Sequence, residues 1–178
     1  MSRLLLCCLM MSWLVLGSPV AVRADDAEDK AVAFVESLKG QVARDEKLPG
    51  KPVVAVDLRF TRVTAGGLKE LAPLKNLTTL DLGCTAVTGA GLKELGAIKS
   101  LTSIDLSVTK VTDADLKELA PLTNLTTLNL SVTKVTAAGL KELAPLKNLT
   151  TLDLSRTRVT DAGLKELQKA LPNCTISK

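Results

Sequence analysis

Four carboxylates recur along the chain at multiples of 24 residues, and their spacing makes them the first candidates for chemistry. Two columns of residues share this period. The acidic column is Asp57, Asp81, Asp105, Asn129 and Asp153, and the column two positions earlier is Ala55, Thr79, Ser103, Thr127 and Thr151. Oxygen atoms of these types can coordinate Ca²⁺ or hydrogen-bond a basic or polyhydroxylated ligand.

Three interpretations of these columns stay open. Carboxylates placed about 4.8 Å apart on neighbouring strands repel one another, so the favoured interpretation is that they are solvated and accept hydrogen bonds from the adjacent hydroxyls. The second is recognition of a ligand. The third is a cation site, which lacks the converging loop that normally completes a Ca²⁺ shell, so we predict no metal site.

Catalysis has little support in the residue types present. The chain has no histidine, which removes the usual general base near neutral pH. No Ser or Cys is expected beside a base, and neither a phosphate-cradling loop nor a Cys/His cluster occurs in the sequence. We therefore expect a protein that is not an enzyme and that needs no cofactor.

The same period predicts the elements that position the two columns. In Leu80-Asp81-Leu82 apolar and polar residues alternate, which predicts a short strand with Asp81 facing outward. Five repeats follow one another: 53–76, 77–100, 101–124, 125–148 and 149–173. Each repeat packs only against its neighbours, which is the physical basis of a solenoid.

The second half of each repeat predicts a short helix between two turns. Leu116, Leu119 and Leu122 are spaced by three residues. Three features should delimit these helices. Helix N-caps are expected at Thr64, Thr88, Thr112, Thr136 and Thr160, helix ends at Pro73, Pro121 and Pro145, and left-handed turns at Asn76, Asn124, Asn148 and Asn173. Glycine at 67, 91, 139 and 163 should allow close packing at the helix starts.

The spacing Leu-x-x-Leu-x-Leu-x-x-Thr-x-Val resembles the leucine-rich repeat signature over residues 53–176. It is similar to secreted bacterial leucine-rich repeat proteins and to the repeats of F-box-associated proteins. The resemblance implies an α/β solenoid with a parallel concave sheet and short outer helices. One departure is the column Thr61, Thr85, Thr109, Thr133 and Thr157, where the family usually has Asn. We expect its hydroxyls to bond loop backbone groups.

A further column lies just past the strands, at Phe60, Cys84, Val108, Val132 and Arg156. Packing of Phe60, Val108 and Val132 between successive loops is the favoured interpretation. If these three side chains are exposed, they form an apolar rim suited to protein contact.

Both ends of the repeat array should be closed by other segments. Residues 1–24 combine Arg3 with an apolar run and small residues, which is typical of a signal peptide cleaved after Ala24. Residues 25–52 are predicted to form a capping helix, stopped by Gly40, and a link; residues 53–178 form the repeat domain with a partial strand at Cys174–Ile176. The repeat register places Cys84 and Cys174 too far apart for a disulfide.

Charge and composition favour a binding module. Without residues 1–24 the chain carries 21 basic and 19 acidic residues, and aromatic residues make up 2% of the sequence, which argues against nucleic-acid binding. We predict a secreted or periplasmic monomer that binds a protein or cell-surface ligand through its concave face, with no stable membrane insertion of the mature chain. The alternative is a structural spacer or surface-layer component without a selective ligand.

Overall fold

The computed structural model describes residues 24–178, and the signal-peptide prediction for the segment before them lies outside the described residues. One sheet of seven strands runs through the described part in sequence order. The strands are β1 (Gln41–Arg44), β2 (Val53–Asp57), β3 (Thr79–Asp81), β4 (Ser103–Asp105), β5 (Thr127–Asn129), β6 (Thr151–Asp153) and β7 (Thr175–Ser177). β2 to β7 are parallel, whereas β1 pairs antiparallel with β2.

Short helices connect the strands on the other side of the coil. They are α2 (Ala65–Lys69), α3 (Gly89–Leu95), the 3₁₀ helices η1 (Asp113–Leu119) and η2 (Gly139–Leu143), and α4 (Asp161–Ala170), preceded by α1 (Ala24–Ser37). In the two 3₁₀ helices the leucines at every third position lie on one side, because a 3₁₀ helix has three residues per turn. The predicted α/β solenoid is confirmed.

A continuous column of leucines fills the space between sheet and helices. Leu58, Leu82, Leu106, Leu130 and Leu154 are completely buried, and so are helix leucines such as Leu68, Leu92 and Leu116. Each strand turns its central apolar residue inward and its flanking polar residues outward, as the alternation predicts.

The N-terminal segment closes the first repeat with both a helix and a strand. Ala31 and Val35 of α1 are buried, so this helix packs against the core. The antiparallel strand β1 was not predicted, since residues 41–45 were assigned to the link. Gly40 was expected to end α1 by its conformation, but the left-handed residue is Lys39 (φ 64°). Gly40 is needed for space, because a Cβ there would lie 2.8 Å from Val35 Cγ1.

The turn predictions need two corrections. Of the threonine N-caps, Thr64 and Thr160 accept hydrogen bonds from helix amides, whereas η2 begins later than expected and Thr136 is held by Asp113 of the preceding repeat. The asparagines are not left-handed. Asn124 instead donates to the Lys99 carbonyl, and Asn148 to the Thr123 carbonyl, so both amides tie neighbouring repeats together.

The C-terminal end contains the predicted partial strand, β7, paired with β6. Cys174 is buried where the preceding repeats place leucine, and burial raises the pKa of its thiol. Cys84 and Cys174 are both free thiols.

Candidate binding surfaces

The parallel register aligns the two predicted columns on the outer face of the sheet. Thr79, Ser103, Thr127 and Thr151 are direct partners along the sheet, and so are the acidic-column residues from Asp57 to Asp153. All are exposed or half-buried. We call these aligned residues the concave columns, and sequence reasoning placed them on the same face correctly.

The acidic column has a structural role that the sequence did not indicate. One side-chain oxygen of each member accepts a hydrogen bond from the backbone N–H two residues later, at 2.7–2.9 Å. This is an Asx turn, and it fixes the bend at the end of each strand. The donors are therefore backbone amides, not the adjacent hydroxyls that the favoured interpretation named.

Neighbouring groups neutralise part of the acidic column. Arg59 binds Asp57 with its guanidinium and lies 3.2 Å from Asp81, while the Asn129 amide donates to the second oxygen of Asp105 at 2.8 Å. The hydrogen bond from Arg59 lowers the pKa of Asp57. The pKa of Asp81 is raised, chiefly by burial and further by the nearby carboxylates.

The hydroxyl column is free of internal partners. Within residues 24–178, no protein atom hydrogen-bonds the hydroxyls of Thr79, Ser103, Thr127 or Thr151. The threonines one position earlier differ, because Thr78, Thr102, Thr126 and Thr150 each donate to a carbonyl of the preceding repeat. The hydroxyls of the Thr78 row therefore link neighbouring repeats by hydrogen bonds. The hydroxyls of the Thr79 row face solvent and make no hydrogen bond within residues 24–178.

The threonine column from Thr61 to Thr157 anchors the loops. Each hydroxyl donates to the carbonyl three residues earlier at 2.6–2.7 Å. Thr85, Thr109 and Thr133 are buried, so these bonds satisfy carbonyls at the strand ends that water cannot readily reach. This confirms the expectation that a hydroxyl can serve the loop in place of an amide.

Phe60, Val108 and Val132 of the column past the strands are exposed, contrary to the packing interpretation, whereas Cys84 is half-buried. Phe60 is 78% exposed, Val108 47% and Val132 42%, and these three residues with Cys84 line one groove. All five members, including Arg156, have left-handed backbone with φ between 56° and 59°.

This backbone conformation is unfavourable for the residues that adopt it. A β-branched residue at positive φ is an outlier and costs about 1–2 kcal/mol relative to right-handed backbone. The bend itself is useful, because the N–H of Val108 donates to the Ser131 carbonyl and that of Val132 to the Ser155 carbonyl of the next repeat. The bend explains the conformation but does not explain why valine occupies it, since Asn or Gly would fit with less strain.

A second row of side chains accompanies this column two residues later. It contains Arg62, Lys110, Lys134 and Arg158, all exposed, with Ala86 in the second repeat. No acidic side chain in residues 24–178 lies within salt-bridge distance of these four cations or of Arg156. We use the term rim stripe for Phe60, Val108 and Val132 together with Arg62, Lys110, Lys134, Arg156 and Arg158.

Neither a metal-ligand cluster nor a helix able to span a membrane occurs in the described part of the chain. No group of three or more His, Cys, Asp and Glu side chains there is arranged to hold a metal ion. None of the helices that the structure describes is both long enough and apolar enough to cross a membrane.

Comparisons with known proteins agree with the fold. The family model described as Leucine Rich repeat matches residues 74–96, 122–144 and 146–167. An internalin from Listeria monocytogenes superposes with a TM-score of 0.56 at 23% identity, covering 70% of this chain and 34% of the internalin. This chain therefore spans about a third of the length of that protein. Internalin C2 of the same species has a TM-score of 0.45 at 22% identity, covering 86% and 84% of the two chains. None of the curated proteins matches the chain significantly.

The sheet register, the outer helices and the matched segments together define an α/β repeat solenoid. Residues 74–96, 122–144 and 146–167 of this solenoid match the leucine-rich repeat model, and the internalin superposition agrees with that fold.

Proposed function

We propose that this protein is an extracytoplasmic binding module whose concave columns hold a protein or cell-surface ligand. The observation that carries the proposal is the row of four unpartnered hydroxyls from Thr79 to Thr151, one on each of four adjacent strands. Polar groups that serve no internal bond are available to a ligand without breaking any contact of the fold. Catalysis is not part of the proposal.

The chemistry of the face favours a polar ligand with repeated hydrogen-bonding groups. The hydroxyls both donate and accept, and they recur at about the 4.8 Å strand spacing. Arg59 neutralises one end of the acidic column, whereas Asp153 at the other end has no cationic partner among residues 24–178. An extracellular polypeptide or a surface polysaccharide with positive charge near Asp153 would match this difference in charge between the two ends of the acidic column.

Removal of the hydroxyls tests the concave face directly. The variant T79V/S103A/T127V/T151V should keep the fold, because Val suits strand positions. When this variant is immobilised, it should no longer retain the extracellular proteins and envelope polysaccharides that the parent retains. The control variant T88V/T123V changes two exposed threonines outside the sheet, and it should retain the same material as the parent.

The outcomes separate the competing functions. Equal retention by the parent and the quadruple variant would refute use of the concave face. If the parent itself retains nothing above a blank surface, the structural-spacer alternative is favoured instead.

Export is proposed on the sequence of residues 1–24 and can be tested separately. The complete chain, expressed in a bacterium with a C-terminal tag, should accumulate outside the cytoplasm with Asp25 as its first residue. Mass spectrometry of the intact protein would show this. A cytoplasmic protein of full mass would contradict it. Light scattering of the purified protein should give a monomer.

A further inference from the structure

We infer that the rim stripe is a docking site for an acidic amphipathic helix of a partner protein. The stripe lies in the loops, with its apolar row three residues after the acidic column, and it meets the concave columns at one end, where Phe60 and Asp57 line the same pocket. It combines an apolar row with a cationic row, and the two rows are separated by the buried threonines that anchor each loop.

The charge of the stripe selects an acidic partner. Lys110 and Lys134 are exposed two residues after Val108 and Val132, and no acidic side chain of residues 24–178 pairs with them. The recurring lysine column of the repeat helices differs, because each of its members is followed directly by Glu and that face carries both signs of charge: Lys69, Lys93, Lys117, Lys141 and Lys165. A partner that brings carboxylates beside an apolar row would gain ion pairs and bury the valines in one contact.

The spacing of the stripe selects a helix. Positions of each row recur once per repeat, at about the 4.8 Å separation of adjacent strands, although the second repeat places Cys84 and Ala86 there. A helix laid along the stack presents one side chain per turn, about every 5.4 Å, and stays nearly in register over four repeats. An extended peptide presents side chains to one side about every 6.6 Å and drifts out of register by the third repeat.

The backbone conformation of Val108 and Val132 supports a binding role for this surface. Val108 and Val132 are exposed in a conformation that Asn or Gly would adopt with less strain. Neither solubility nor folding favours Val there, so its presence is explained by contact with something apolar. Phe60, at the N-terminal end of the row, offers the large aromatic side chain that interface centres favour.

An anionic membrane is the competing ligand, and the shape of the stripe argues against it. Val108 and Val132 are only about half exposed and line a groove, whereas membrane anchors protrude and are rich in Trp and Tyr. In the part of the chain that the structure describes, Phe60 is the only aromatic residue of the stripe. A groove accommodates a rod-shaped partner better than a planar surface.

Direct binding of a designed peptide tests the inference. The probe is a fluorescently labelled 15-residue peptide with Leu once per helical turn, Glu on both flanks of the Leu row, and Ala elsewhere. The protein is purified after expression of the complete chain, and binding is followed by fluorescence anisotropy. A peptide with Lys in place of Glu, and one with the same composition in scrambled order, should each bind about tenfold more weakly or not at all.

Two protein variants separate the apolar and charged parts. V108N/V132N should weaken peptide binding about tenfold while its melting temperature is unchanged or higher, since Asn tolerates left-handed backbone. Loss of binding could then not be attributed to unfolding. K110E/K134E should weaken binding by a similar factor and reduce its dependence on salt. The matched control K117E/K141E, on the outer helices, should bind like the parent.

Three results would overturn the inference. One is equal binding of the acidic, basic and scrambled peptides. Another is binding of the acidic peptide that V108N/V132N leaves intact. The third is sedimentation with phosphatidylcholine–phosphatidylserine vesicles without any binding of the peptide, which would assign the stripe to a membrane. Because the rim variants leave Thr79 to Thr151 unchanged, failure here and failure of concave-face binding are distinguishable.

Discussion

Substitution of Asp81 should distinguish the contribution of its hydrogen bond to the Gly83 N–H from the contribution of its negative charge. The Asp81 carboxylate accepts a hydrogen bond of 2.9 Å from the N–H of Gly83, and Gly83 is buried. Asp81→Asn keeps a side-chain oxygen at this place, as Asn129 does naturally for Ser131. Asp81→Ala leaves the Gly83 N–H without its acceptor.

The expected magnitudes follow from these contacts. An unsatisfied buried N–H costs about 1–3 kcal/mol, and the ion pair with Arg59, which is 54% exposed, contributes at most about 1 kcal/mol. Asp81→Ala should therefore lower the free energy of unfolding by about 1–3 kcal/mol at pH 7. Asp81→Asn should stay within about 1 kcal/mol of the parent, because the bond survives and a half-buried charge is removed.

The pH dependence has a definite sign. Because the pKa of Asp81 is raised in the folded state, its contribution to stability is fully present below the pKa of the unfolded chain and is lost as the pH rises through the folded pKa. Asp81→Asn has no carboxyl group to ionise at this position, so its stability does not fall with rising pH for this reason. The stability of Asp81→Asn relative to the parent should therefore be greater at pH 7 than at pH 3.

Urea unfolding followed by far-ultraviolet circular dichroism at pH 7 and pH 3 measures these differences. Asp81→Ala and the parent should both be included in each series. Equal stability of the Ala and Asn variants at pH 7 would refute the structural role of the carboxylate. An Asn variant whose advantage grows on acidification would refute the assigned direction of the pKa.

Three further outcomes are expected. Thr109→Val should lower the free energy of unfolding by about 1–3 kcal/mol, because the Leu106 carbonyl loses its donor; a neutral result in urea unfolding would show that the loop relaxes. Gly67→Ala should be less stable than Gly66→Ala, because its Cβ would lie 2.7 Å from Phe34 Cζ and the ring would have to shift, whereas nothing lies within 4 Å of a Cβ at Gly66. Equal melting temperatures for these two variants would contradict the close packing. Millimolar Ca²⁺ should leave the melting temperature of the parent unchanged, and a clear increase would revive the cation-site interpretation.

Much of the fold could be predicted from the period of 24 residues. The alternation around Asp81 gave the strand and its outward face, and the leucine spacing gave the buried side of each repeat. These predictions succeed because a solenoid repeat contacts only its neighbours, so short-range sequence patterns carry nearly all the information about the core. The residues of the concave columns could be predicted in the same way, whereas the hydrogen-bond partners of their side chains could not.

The sequence by itself therefore determined the architecture, the core and the residues that share each face. Tertiary structure decided which atoms the polar groups contact: the Asp column bonds backbone amides, Asn124 bridges repeats, and β1 covers the first strand. It also decided that Val108 and Val132 are exposed. The physical reason is that a residue's type fixes its preference for burial, whereas the direction of its side chain in a turn depends on backbone angles that hydrogen bonds to the next repeat impose.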